Sequence, residues 1–435
     1  MNYRTTGRTP IDRGLRQTID WKLILCYISL VLIGWISIYA SVHSTEPSSI
    51  FDLSCRSGKQ FLWFGISLTA GVLILFVLNP RFWEAVPLVL YLLVLFLLIL
   101  VIFVSKDVKG SHSWFELGPV KFQPAEISKI TTSLMLAFVM SRQGFRFNTA
   151  KGFLTVAAII GLPMLSIVAE SETGSALVYV GYIFVLYREG LSGWWFICIG
   201  MAVILFILTL TTHWWLSLIF LCVFFLFLCL ALLRGRSSRK LRRRRITLLV
   251  LSFFAGAAMI FATDFLFNSV LQDHQRKRIE VLLGMKEDPS GVGYNVRQSM
   301  IAIGSGGFLG KGFLNGTQTT FGFVPEQSTD FIFCTIGEEW GFVGCLVVIL
   351  LYIYMIYRLV EDAERSRSAF TRIYGYCVAS CLFMHLFINI GMTIGLMPVI
   401  GIPLPMLSYG GSSLLAFTIL IFIFLALHRQ ESKYF

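Results

Sequence analysis

Several charged residues in this sequence stand at the edges of long apolar runs, and their spacing limits the chemistry open to them. Glu126 and Lys129 lie three apart at the start of one run, so on a helix they share a face and can pair. An ion pair at a membrane helix edge is costly unless protein buries it or it faces a wet cavity. Two readings follow: a lock between helices, or the polar wall of a cavity. Glu326, Asp330 and Glu338 enter a later run at spacings of four and eight, which predicts one helix face, with Glu339 adding a further carboxylate. Acidic groups at membrane depth are expected to face the bundle interior; ion pairs to Arg297, Lys311 or Lys129 are the structural alternative. Asp288 sits in Glu287-Asp288-Pro289-Ser290-Gly291, a strong turn signature. It either starts that turn or acts as a general base at the membrane surface. The local sequence alone favours the turn.

The elements that must position these residues follow from composition. Of 435 residues, 56% are hydrophobic and 14% charged, and the mean hydropathy is +0.76. A soluble chain carries about 25% charged residues, so a soluble fold is excluded. Most of the nine cysteines fall inside apolar runs, which argues against a disulfide framework. The basic segment Met1–Arg16 precedes an apolar run with no small-residue cleavage site, which predicts a retained helix. About 20 apolar residues span a bilayer. On that criterion the expected spans are 21–42, 60–79, 83–104, 125–142, 152–170, 173–187, 192–211, 214–233, 246–268, 327–358, 371–395 and 408–428. The expected fold is therefore an all-α polytopic transmembrane bundle of about 12 spans.

The positive-inside rule orients it. With the N-terminus cytoplasmic, Arg142, Arg146, Lys151, Arg188, the run Arg234–Arg245 and Arg358–Arg372 all fall inside, as do both termini, 1–20 and 429–435. The loops 43–59, 105–124, 212–213, 269–326 and 396–407 fall outside. The basic run reads as a topology anchor in preference to a nucleic-acid or lipid site. The loop 269–326 is too long for a plain connector. Its glycines, Gly304 to Gly316, match no phosphate-binding fingerprint and are expected to make tight turns. The loop 395–413 is dense in Pro and Gly and must be buried or line a cavity. There Ser408 and Tyr409 offer hydroxyls to a ligand or to local backbone.

At four segments the chain resembles the shape, elongation, division and sporulation family of membrane proteins. They are Trp114-Phe-Glu-Leu-Gly-Pro-Val-Lys-Phe-Gln-Pro-Ala-Glu-Ile-Ser-Lys129, Asp288-Pro-Ser-Gly-Val-Gly-Tyr-Asn-Val-Arg-Gln-Ser299, Ile303-Gly-Ser-Gly-Gly-Phe-Leu-Gly-Lys-Gly312 with Pro325–Phe333, and Pro398–Gly411. The Gly-Lys-Gly and Pro-Val-Ile-Gly-Ile-Pro variants look more like its elongation branch. The family has ten spans, so the resemblance implies an inserted helix pair around 192–245 within a transmembrane glycosyltransferase domain, 21–428. Ser171-Glu172-Thr173-Gly174 stands where the family has Pro-Asp-x-Gly, and Lys121 where Arg is common, which loses the bidentate fork.

The resemblance implies a peptidoglycan glycosyltransferase that polymerises lipid II into glycan strands for rod-shaped growth. It would work on the outer face of a bacterial cytoplasmic membrane, beside a class B penicillin-binding protein, with no nucleic-acid partner. Asp288 matches the family's essential aspartate and is the expected general base for inverting displacement. The expected substrate-binding set is Trp114, Gln123, Glu126, Lys129, Arg297, Gln298, Lys311, Glu326, Asp330 and Ser408. The departing pyrophosphate calls for cations or a metal. Lys311, Arg297 and Arg276–Arg278 are candidates. A divalent cation, Mg2+ or Mn2+, is another, but no ligand set of diagnostic spacing is visible. The alternatives from other classes are a lipid-linked precursor flippase and a noncatalytic scaffold of a cell-wall complex.

Overall fold

The structure, a computed structural model, describes residues 19–43, 49–105, 113–117, 120–147, 149–234, 239–271, 273–286 and 291–432. Among the described residues the regular structure is helical except for a two-stranded hairpin, β1 (Phe115–Leu117) and β2 (Val120–Phe122), antiparallel in the register Phe115 to Phe122. Among the described residues nine helices are long and apolar enough to cross a membrane. They are α1 (Trp21–Val42), α2 (Arg56–Phe76), α4 (Pro87–Val104), α6 (Ala150–Ala169), α9 (Trp194–Thr211), α11 (Arg239–Phe265), α15 (Ile332–Arg365), α16 (Ala369–Thr393) and α17 (Gly411–Ser432). Between them, α10 (Trp214–Arg234) carries a shorter apolar stretch, Trp214–Leu230. The expected run 125–142 is α5 (Pro124–Met140), of 17 residues. The short helices are α3 (Pro80–Ala85), α7 (Thr173–Val178), α8 (Tyr182–Arg188), α12 (Asp273–Leu282), α13 (Val292–Ser305) and α14 (Thr317–Thr320).

Local signals set the starts of these elements. Asp20 caps α1 by accepting from the Lys22 and Leu23 amides at 3.0 and 3.3 Å, and Thr149 caps α6 through the Gly152 amide at 3.1 Å. Pro80, Pro87 and Pro124 each open a helix, where the missing N–H is no loss. The expected span 173–187 is not one helix: α7 and α8 are separated by a 3-10 turn, Tyr179–Gly181. The tyrosines there bind α5 sideways. Tyr179 Oη lies 2.6 Å from Ser128 Oγ, and Tyr182 Oη donates to the Lys129 carbonyl at 3.0 Å.

The chain forms two compact units, Leu191–Tyr294 and the remainder. In the larger unit α16 is central, with 83% of its most apolar stretch buried against 28% for α2 and α4. One end of this unit is tied by ion pairs: Arg188 to Glu364 at 2.7 Å, Arg372 to Glu189 at 3.1 Å and Arg358 to Asp20 at 2.8 Å. The smaller unit packs α9, α10 and α11 around Leu205, Leu221 and Ile260. The helix pair expected at 192–245 lies within it and packs against α11.

The long run 327–358 begins differently from the expectation. Helix α15 starts only at Ile332. Residues 325–331 form turns, with Glu326 at φ +53° and its carbonyl accepting from the Thr329 and Phe331 amides. Glu326, Asp330 and Glu338 therefore do not share one helix face. A backbone turned at Glu326 cannot carry the helical period back through residues 326–331.

Candidate functional site

The candidate residues fall into separate groups in the larger unit. The first surrounds the start of α5. Lys129 Nζ donates to Glu126 Oε1 at 3.0 Å, and both side chains are buried, at 2% and 4% exposure. The ammonium lies 3.0 Å from His385 Nε2 on α16 and 4.7 Å from the Phe417 ring centroid on α17. His385 Nδ1 lies 3.1 Å from the Pro403 carbonyl. An ammonium only donates, so Nε2 accepts and Nδ1 carries the proton. This fixes a line from Glu126 through Lys129 and His385 to the loop 398–410. The helix-locking reading of the pair is thus realised across three helices. Glu126 Oε2 is nevertheless buried without a hydrogen-bond partner among the described residues. A buried carboxylate oxygen left open in this way marks a place for a donor from water or ligand. His385 was missed by sequence reasoning, because a lone histidine in an apolar run carries no spacing signal.

The second group centres on Glu338, which is fully buried. Its Oε1 accepts from Lys311 Nζ at 2.7 Å and the Gln318 amide at 2.9 Å, and its Oε2 accepts from the Thr319 amide and hydroxyl, each at 2.8 Å. Helix α15 is broken immediately beyond, at Gly341 (φ +64°, ψ −158°). The carbonyls of Glu338 and Glu339 accept from the Lys311 and Gly312 amides, each at 3.0 Å, while the Phe342 and Val343 amides donate to Gly307 and Phe308. The Gly-rich segment therefore supplies the hydrogen bonds that a helix break inside a membrane protein would otherwise lack. Gly310 (φ +81°) lies so close to the Glu339 carbonyl that a Cβ there would collide with it. Gly306 likewise abuts the Gly337 carbonyl, so these two glycines are needed for close backbone approach, and at Lys311 and Gly312 the amides are committed to α15 instead of being open to a phosphate.

The third group stitches the turn 325–331 to the loop 398–410. Leu404 N donates to Ser408 Oγ at 2.8 Å, and that hydroxyl donates in turn to the Thr329 carbonyl. Tyr409 N donates to the Ser328 carbonyl at 2.8 Å, and Asn389 Nδ2 to the Asp330 and Ile402 carbonyls at 2.8 and 2.7 Å. Arg56 Nη1 on α2 reaches Ser328 Oγ at 2.7 Å. Ser408 is buried and satisfies local backbone. Glu326 is exposed and accepts from Thr329 Oγ1 at 3.2 Å.

The remaining candidates stand apart. Trp114 is half-buried ahead of β1, Gln123 is buried where β2 meets α5, and Ser113 donates to Glu172 Oε1 at 2.7 Å. On α13, Arg297 is exposed and Gln298 half-buried. In the smaller unit, Glu280 pairs with Lys286 at 2.7 Å and Arg276 at 3.4 Å. The Lys286 hydrogen bond, against some desolvation, holds the Glu280 carboxyl below its ordinary range. Arg276 of the expected cationic cluster is thereby paired. Asp288, the expected base, lies outside the described residues. Among the described residues no group of three or more His, Cys, Asp or Glu could hold a metal ion.

Comparison with known proteins gives these features a context. A family model described as cell cycle protein, for FtsW, RodA and SpoVE, matches residues 20–221 and 217–433. The chain is 35% identical to the peptidoglycan glycosyltransferase MrdB of Escherichia coli K12 over 353 residues, 81% of this chain and 80% of the relative. It is 29% identical to the peptidoglycan glycosyltransferase RodA of Treponema pallidum over 432 residues, 92% and 95% of the two chains. Among solved structures it is similar to a chain of a peptidoglycan synthase complex that coordinates polymerization and crosslinking, with a TM-score of 0.68, 24% identity, and 95% and 98% coverage. It is also similar to Thermus thermophilus RodA, with a TM-score of 0.58, 22% identity, and 95% and 97% coverage. Both likenesses establish the fold.

Proposed function

This chain belongs to the FtsW, RodA and SpoVE family of cell cycle proteins, and from that premise we propose that it polymerises lipid II into glycan strands with Asp288 as general base. That it is a multi-pass membrane protein and a peptidoglycan glycosyltransferase follows from the family and its relatives. The activity is enzymatic, in contrast to the transporter and noncatalytic alternatives. The finer reading draws its support from one observation: a buried Glu126–Lys129–His385 line with an open carboxylate oxygen, tied to a Pro-rich loop at one end of an apolar bundle. A substrate with a long lipid and a polar, charged head requires that combination of an apolar surround and a polar terminus.

In this reading the acceptor hydroxyl oxygen attacks the anomeric carbon of the donor sugar, and the bond to the pyrophosphate oxygen breaks. The configuration inverts, and Asp288 takes the hydroxyl proton. Arg297, exposed on α13, is the cation best placed in sequence to meet the departing pyrophosphate; Lys311 is already engaged by Glu338. A bound Mg2+ or Mn2+ would neutralise the same leaving group. The described residues offer no ligand set for one, so no step is assigned to it. The charge rule puts the ion-paired end of the larger unit, with both termini, in the cytoplasm. The loops 325–331 and 398–410 then face outward from a bacterial cytoplasmic membrane. A class B penicillin-binding protein is the proposed partner, supported by the likeness to a chain of a synthase complex.

The test is purified full-length protein supplied with lipid II. Asp288→Asn is expected to slow polymer formation by about 100-fold or more, the scale of a lost general base. Polymer at the full rate would remove Asp288 from that role.

A further inference from the structure

At the ion-paired end of the larger unit a recess of about 340 Å³ opens between the C-terminal end of α2, the short helix α3 and the C-terminal end of α17. Apolar Leu75, Phe76, Val77 and Leu78 line it together with polar Asn79, Arg81, Arg429 and Gln430. Two guanidinium groups and no carboxylate line it. Arg429 sits over the Phe76 ring at 4.8 Å and donates through Nη1 to the Leu75 carbonyl at 2.7 Å. That bond caps the end of α2 and orients the guanidinium. Its Nε is buried and has no acceptor among the described residues. The Arg81 side chain is exposed, and its amide is capped by Asn79 Oδ1 at 3.1 Å. Glu84 follows Arg81 by one turn but does not line the recess. Glu431 is engaged by the Arg367 and Ser368 amides at 2.7 and 3.3 Å.

Helix length sets the depth of this recess in the bilayer. The 21 residues of α2 rise by roughly 31 Å, close to the hydrocarbon thickness of about 30 Å. The end of α2 at Phe76 therefore falls where hydrocarbon gives way to headgroups. Leu73, Phe76 and Val77 are 49%, 46% and 69% exposed, an apolar surface at the end of α2 that leads into the recess. A ligand suited to this place has an anionic phosphate at headgroup depth and hydrocarbon beneath it. The opposite end of α2, where Arg56 binds Ser328, carries the loops of the proposed active site, so the recess is a separate feature about one membrane thickness away.

We propose that this recess is a binding site for an anionic glycerophospholipid, whose phosphate meets Arg81 and Arg429 while its acyl chain lies against Leu73, Phe76 and Val77. Arg429, which joins α17 to α2, makes the site a lipid-dependent clasp between these helices.

The probe is phosphatidylglycerol against phosphatidylcholine, added to the delipidated full-length protein and read by native mass spectrometry. Wild type is expected to retain phosphatidylglycerol preferentially. Each lost cation is expected to weaken retention roughly fivefold, the scale of about 1 kcal/mol per basic residue at an anionic surface. Arg81→Gln tests this without touching the Arg429 bond to α2, and Arg429→Lys keeps the charge if Arg429→Gln fails to fold. Lipid II polymerisation by Arg81→Gln in phosphatidylcholine should match wild type, which separates this site from the active site. Equal retention of the two lipids by wild type, or unchanged phosphatidylglycerol retention in Arg81→Gln, would overturn the proposal. So would displacement of the lipid by inorganic phosphate at equal concentration, which would mark a free-anion site.

Discussion

Two lysine–glutamate pairs of this protein, each with a buried carboxylate, look alike in chemistry and differ in what they hold. Glu126 and Lys129 are neighbours on one helix, and the lysine adds a single histidine from α16. Glu338 and Lys311 are distant in sequence, and the carboxylate also gathers the backbone amides of Gln318 and Thr319. The first pair is a side-chain cluster between helices. The second is the anchor of a loop whose own backbone completes a broken helix. Removing a partner should therefore have different consequences at the two places, although a charge is stranded in both.

The largest effect is expected at Glu338. Glu338→Ala would leave two amides and the Lys311 ammonium without their acceptor, for a loss of about 3–5 kcal/mol. Thermal unfolding of the purified protein measures the loss, and faster hydrogen exchange at residues 304–319 should accompany it. The double change Glu338→Leu with Lys311→Met should not restore stability, because the amides of Gln318 and Thr319 remain unpaired. Restoration would show the loop to be held by charge alone, and the contrast between the pairs would disappear.

The Glu126–Lys129 pair should behave in the opposite way. Lys129→Met alone strands a buried carboxylate and should cost roughly 3 kcal/mol. Adding Glu126→Leu should recover much of that, since replacing both members of a buried pair by apolar groups is often neutral. Activity is expected to stay lost in the stable double variant if Glu126 Oε2 serves the substrate. A double variant that is both stable and fully active would reduce the pair to packing.

The smallest effect belongs to His385. His385→Ala removes one acceptor from Lys129 and one donor from Pro403, a loss of about 1–2 kcal/mol. Unfolding of the single variant, set against Lys129→Met and the corresponding double, gives the coupling directly. A coupling near zero would detach the histidine from the line that reaches the loop 398–410.

The membrane character, the positions of most spanning helices and the pairing of Glu126 with Lys129 were all legible in the sequence. Each depends on composition or on a spacing within one helix, and local periodicity survives whatever the neighbours do. The same logic misread Glu326, Asp330 and Glu338 as one stripe, because nothing local announces the left-handed turn at Glu326. It also left open whether Lys311 serves a phosphate or a carboxylate. Tertiary structure supplied the carboxylate: the break at Gly341 draws the Gly-rich segment against α15, which brings Lys311 Nζ to 2.7 Å from Glu338 Oε1. The role of His385 was decided in the same way, by the crossing of α5, α16 and α17. A spacing specifies which residues share a helix face, but which partner occupies the space opposite depends on helices that are remote in sequence and meet only in the folded bundle.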